Sequence, residues 1–295
     1  MRVYFPPNEL TRSWWSRADR FCRSWREIFA VPPGDFRTFS MSSSILWYVS
    51  LIVGGLCLTN PLAAETVHVK KGSYIPLYGA KDGSEIHVEA FSIDKTPATN
   101  KEFLEFVQAH PAWRRSKVKR IFAEDSYLQD WRSDLAPPPE RSESPVTHVS
   151  WFAAKAYCKS KNMRLPTLNE WELVAMASKE KRDAREDPEF TKSILAGYEA
   201  PKTHLKKVMS SEANLYGVYD LHGLVWEWVS DFNSVIISGE SRNDGDDGLF
   251  CAAGSVGATD LANYAAFMRY AFRASLKANY TLKNLGFRCA KGKGR

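Results

Sequence analysis

Apolar and polar positions alternate along the first part of the patterned chain and then change to helical spacing. Val67 to Tyr78 reads as a strand and turn, and Glu85 to Asp94 as one further strand with apolar residues at every second position. Thr99 and Glu102 then stand three apart, the spacing of a capping box, in which a hydroxyl accepts an orphan amide and a carboxylate reaches back. The predicted helix after them places Phe103, Phe106 and Val107 on one face. Residues 110–145 carry little periodicity, and Pro137-Pro138-Pro139 marks an extended stretch. A second helix is predicted over Trp151 to Lys161, with Trp151, Ala154, Lys155 and Cys158 on its stripe. Thr167 and Glu170 repeat the capping-box spacing before a third helix, whose apolar face is Leu168, Trp171, Val174 and Ala175. The polar stretch from about Lys179 to Lys192 reads as loop, and from Asn214 to the end the pattern is short strands and Gly turns. No internal repeat is visible, and the elements sum to one α+β domain over residues 65–295.

The segment ahead of that domain has a different character. Ile45 to Leu58 carries no charge and is followed by Pro61-Leu62-Ala63-Ala64. Such a run is short for a membrane span, which needs about 20 residues, but it suits a signal-peptide core. Residues 41–64 therefore read as a signal peptide starting at Met41, with 1–40 a mis-called start. The alternative is an uncleaved anchor with an Arg-rich cytoplasmic extension. The expected location is the periplasm, or the inner membrane facing the periplasm; the membrane enters only through an uncleaved leader. Leu56 before Cys57 argues against lipidation.

The formal charge of +6 overstates how basic the domain is. Seven Arg and four acids lie in residues 1–64, leaving 33 basic against 30 acidic residues, too even a balance for a nucleic-acid partner. The dense run from Arg114 to Arg120 reads as a solvated face, with an anion or partner site as the alternative. Aromatic residues make up 13%, which suits short strands and loops pinned by large rings.

Three blocks together resemble the formylglycine-generating-enzyme (sulfatase-modifying-factor) superfamily. They are Pro145 to Trp151 continuing through Arg164-Leu165-Pro166-Thr167 and Glu170-Trp171-Glu172, then Tyr216 to Trp228, then Asn284-Leu285-Gly286-Phe287-Arg288-Cys289. The resemblance covers nearly all of residues 67–290 and implies that family's variant of the C-type lectin fold. Ala109 to Ser116, Leu128 to Trp131 and Tyr264 to Tyr270 further resemble the NirV branch, which is encoded beside copper nitrite reductases in denitrifying bacteria.

The resemblance also says what is missing. Family members that oxidise a substrate Cys hold copper(I) with two thiolates, soft ligands that no other side chain replaces well. Counting back from Asn284 puts those positions near Ala265 and Asp260; counting forward from Ser255 moves the first to about Ala258. No Cys occurs from Ala252 to Arg288, so formylglycine chemistry and copper are not expected. Cys158 and Cys289 match a family pair, which implies a disulfide, two buried free thiols being the alternative. The family's other pair maps to Ala175 and Tyr270, both lost. Cys251 is left as the odd cysteine of the domain, an inert buried thiol or a reactive one beside the old groove. Ser255, Cys251 and Met268 are the groove candidates.

Asp220, Gly223, Val225 and Glu227 resemble a family calcium site, with two carboxylates and two backbone carbonyls as oxygen ligands for a hard cation. The alternative is a turn with two solvated carboxylates. The six His, at 68, 87, 110, 148, 204 and 222, show no zinc or iron ligand spacing. Trp226 and Trp228 read as core. Two functions follow as expectations. The first is an exported, non-catalytic accessory protein that binds a partner chain such as a copper nitrite reductase. The second is an oxidoreductase or protein-modifying enzyme of the same superfamily using different metal chemistry.

Overall fold

The computed structural model describes residues 65–76, 84–199, 205–233 and 261–293. The leader reading, Cys251, Ser255, Ala258 and Asp260 lie outside them. All described residues fall in one compact unit, Leu58–Arg295.

Among the described residues, seven short strands form three small sheets. β1 (Thr66–Val69), β4 (Phe91–Asp94) and β7 (Ala290–Lys291) make an antiparallel sheet with β4 in the centre. β2 (Gly72–Tyr74) and β3 (Ile86–Val88) form an antiparallel pair, and β5 (Trp226–Trp228) and β6 (Leu285–Phe287) a parallel one. The single strand expected over 85–94 is thus two strands in different sheets. Val88 and Phe91 are both buried while Glu89 and Ala90 are exposed. An unbroken strand would point residues 88 and 91 to opposite faces, so the chain must turn a corner between them.

Five α-helices among the described residues complete the α+β class expected from the pattern. In α1 (Asn100–Ala109) the Thr99–Glu102 capping box is present, and Phe103, Phe106 and Val107 are buried. α2 (Trp151–Ser160) is N-capped by Ser150 and buries Ala153, Ala154, Tyr157 and Cys158. Its stripe is therefore rotated from the expected one. Lys155 is exposed, its ammonium 4.4 Å above the Trp151 ring, while Tyr157 stacks on Phe103 at 5.7 Å. A charged head stays in water and an aromatic ring takes its place inside. α3 (Leu168–Ala175) has the Thr167–Glu170 capping box and buries every residue except Asn169.

Two helices correct the sequence reading. α4 (Pro188–Glu199) begins inside the expected 179–192 loop. Asp187 accepts the amide of Glu189 at 3.1 Å, and Pro188 opens the helix, where a missing N–H costs nothing. α5 (Leu261–Ala274) lies where only strands and turns were expected.

Segments far apart in sequence meet at the core. Cys158 on α2 and Cys289 after β6 form a disulfide across 131 residues, as the resemblance implied. Beside it the Arg288 side chain is fully buried and all five of its N–H donors are used. Nε and Nη2 grip Glu227 at 2.8 and 2.7 Å, and the rest reach the carbonyls of Asp94, Lys95 and Tyr219. Gly286 leaves no room for a side chain: a Cβ there would stand 2.8 Å from the Val146 carbonyl oxygen. This guanidinium strut ties β4, the 219–227 turn and β6 together.

Candidate functional site

A cluster of ionised and aromatic groups joins α3, α4 and α5. Glu172 on α3 is buried, and two arginines on α5 close on it. Arg269 donates from Nε at 3.0 Å and from Nη2 at 2.7 Å, and Arg273 from Nη1 at 2.8 Å. Residues four apart on a helix share a face, so α5 delivers both guanidiniums to one carboxylate. Burial alone would raise the Glu172 pKa, but the charge and hydrogen bonds of Arg269, then Arg273, hold it at about 2. The Trp171 ring lies under both cations, 4.5 Å from Arg273 and 5.9 Å from Arg269.

Aromatic side chains wall this cluster. His222 donates from Nε2 to the Ala175 carbonyl at 2.8 Å. Its pKa is pushed down to about 4, by burial first and then by the charge of Arg269, so the ring is neutral near pH 7. Arg269 also reaches the Tyr198 hydroxyl at 3.4 Å, and the Tyr198 ring lies 4.8 Å from Trp226, which stacks on Phe272 at 4.6 Å. Tyr74, Glu172, Arg185, Arg269 and Tyr270 line a cavity of about 10 Å³, room for about one water.

None of these groups is poised to exchange a proton near neutrality. Glu172 stays ionised, His222 stays neutral, and burial raises the pKa of Tyr74, Tyr198 and Tyr270. The cluster instead locks α5 against α3. Ala265, one of the positions counted for the thiol pair, is a buried methyl on this helix, and Met268 is half-buried. The only cysteine in the described part of 261–293 is Cys289, already in the disulfide. Ala175 and Tyr270, where the family's second pair would stand, are both buried.

The two carboxylates assigned to calcium lie in separate hydrogen-bond networks. Glu227 accepts three donors, two from Arg288 and one from Trp171 Nε1 at 2.8 Å. Asp220 belongs to a separate network, accepting the amides of Met209 at 2.5 Å and Ser211 at 2.9 Å. A guanidinium already sits among the Asp94, Lys95 and Tyr219 carbonyls and the Glu227 carboxylate. Gly223 serves the turn: its φ is +85° and its backbone lies against Gly197, where a Cβ would come within 3.1 Å. Trp228 is core, fully buried with Nε1 bonded to the Val149 carbonyl at 2.9 Å.

Sequence reasoning missed Glu172, Arg269, Arg273 and His222 as a unit. The available signal was two arginines four apart in an Ala- and aromatic-rich stretch. Such a face needs an anion if it is buried.

Asp94 is a second perturbed carboxyl. Burial raises its pKa to about 7, although the Cys289 amide at 2.9 Å pulls the other way. Its Oδ1 and the Tyr157 hydroxyl are the buried side-chain polar atoms without a hydrogen-bond partner among the described residues. With the folded pKa raised above the usual 3.8, this group favours folding at low pH. That contribution is lost as pH rises from 3.8 through about 7. Asp94→Asn keeps an acceptor for Cys289 and carries no charge. In urea melts its stability relative to wild type should rise across that range by an amount on the order of 4 kcal/mol. A pH-independent difference between the two proteins would contradict this reading.

Known proteins resemble the chain over different extents. The Serine/threonine-protein kinase pkn1 of Chlamydia caviae is 29% identical over 181 residues, 59% of this chain, and the match spans only 28% of that protein's length. The Inactive C-alpha-formylglycine-generating enzyme 2 of Bos taurus is 29% identical, covering 86% of this chain and 97% of its own. The Formylglycine-generating enzyme of Streptomyces coelicolor is 34% identical over 54% of this chain and 55% of its own. The model of the Sulfatase-modifying factor enzyme 1-like domain matches residues 56–293, most of the chain, and the protein belongs to that family.

Proposed function

We propose that the protein is a non-catalytic member of the sulfatase-modifying-factor family that binds a partner polypeptide. The observation that carries the reading is the absence of any Cys from Ala252 to Arg288, with α5 and its Glu172-locked arginines filling much of that stretch. Thiolate-held copper(I) would activate oxygen and capture a substrate sulfur; nothing in this stretch supplies an equivalent soft pair. The match to a relative named as inactive over nearly its whole length supports the same reading.

In this proposal the leader exports the domain to the periplasm, and the NirV-like stretches point to a copper nitrite reductase as the partner. Ser255, Cys251 and Met268, the groove candidates read from the sequence, would contact a segment of that partner. The competing function is an enzyme of the same superfamily using other metal chemistry, and the partial match to a protein named as a formylglycine-generating enzyme supports it. Elemental analysis of the purified full-length protein separates the two. The accessory reading expects neither copper nor iron in stoichiometric amount. One redox metal per chain that survives desalting would favour the enzyme.

A further inference from the structure

The loop from Trp113 to Phe122 carries apolar and cationic side chains side by side on its outer surface. Ile121 is 71% exposed and its neighbour Phe122 is 38% exposed. The Phe122 ring lies 6.0 Å from Trp113 and 5.4 Å from Phe152, and Phe152 lies 5.4 Å from Trp151. These rings form one continuous band, with Trp113, Trp151 and Phe152 half-buried. Arg115, Lys117, Lys119, Arg120 and Lys155 stand exposed around it. Arg120 pairs with Asp125 at 2.9 Å, Arg115 donates to the Trp131 carbonyl, and Asp134 is held by Ser116. Lys117 and Lys119 have no ion-pair partner among the described residues, and the other carboxylates between residues 113 and 134 are Glu124 and Asp130, the latter paired with Arg141 at 3.3 Å.

We infer that this face docks onto an anionic lipid bilayer. Ile121 and Phe122 enter below the headgroups, and the lysines and arginines sit among the phosphates. Aromatic rings with a polar edge settle at the membrane interface, an exposed aliphatic tip adds buried apolar area, and cations are drawn by the negative surface potential. An acidic protein partner would need carboxylates placed against each of several flexible lysines. A fluid layer of anionic headgroups meets them wherever they reach. This contact is independent of the leader and of the partner proposed above.

Hydrogen exchange on the full-length protein tests it, because the readout is local and a leader inserted in every vesicle does not disturb it. With vesicles containing phosphatidylglycerol, amides of residues 117–123 should exchange roughly tenfold more slowly than with phosphatidylcholine alone, and high salt should weaken the effect. The double variant Ile121→Glu, Phe122→Glu should lose that protection while the amides of α2 stay protected, showing that the fold is intact. Equal exchange in both kinds of vesicle would overturn the inference. So would protection that survives in the double variant.

Discussion

Glu172→Ala should destabilise the protein by roughly 3–5 kcal/mol, because it leaves two buried guanidiniums without their counter-charge. That is a large fraction of the 5–15 kcal/mol typical of a folded domain. The loss should come mainly from the stranded charges and not from the missing contact. Replacing Arg269 and Arg273 by Met and Leu in the same protein should therefore restore much of the stability. The acid limb offers an independent check. The Glu172 pKa is held at about 2 against an ordinary 4.5, so its contribution is complete above 4.5 and fades as pH falls toward 2. Urea unfolding of the single and triple variants gives the answer, and a single-variant loss under about 1 kcal/mol would mean that water reaches the cluster.

Breaking the Cys158–Cys289 bond should have an effect of the same size. The link closes 131 residues, and the chain-entropy treatment assigns a loop that long on the order of 4–5 kcal/mol through the unfolded state. Cys158→Ala and Cys289→Ala should each show the loss, and the double variant should be no worse than either. Strongly additive losses would mean that the two sulfurs stabilise the fold separately.

The contrast between these sites shows what the sequence made legible. The capping boxes at Thr99–Glu102 and Thr167–Glu170 were visible because the interaction is local, a side chain meeting an amide three residues away. The disulfide spans most of the domain, and only the family resemblance pointed to it. α5 was hidden by its own chemistry: its buried face carries Arg269 and Arg273, so the apolar stripe that signals a helix is interrupted. The arginines are tolerated inside only because Glu172, nearly a hundred residues earlier, meets them. The corner between β3 and β4 was missed for a similar reason, since alternation continues on both sides and only its parity changes. At the calcium positions, the residue types allowed a cation. Arg288, a residue outside that motif, holds the Glu227 carboxylate with its guanidinium.

One incubation tests whether the family's oxidative chemistry has been lost along with its thiol pair. The purified protein is mixed with a Cys-containing sulfatase peptide, with and without copper, in air and with reductant, and the peptide is examined by mass spectrometry. The expected result is an unchanged thiol peptide under every condition. A copper-dependent mass shift from thiol to aldehyde would contradict it, and would make Cys251 the first residue to replace.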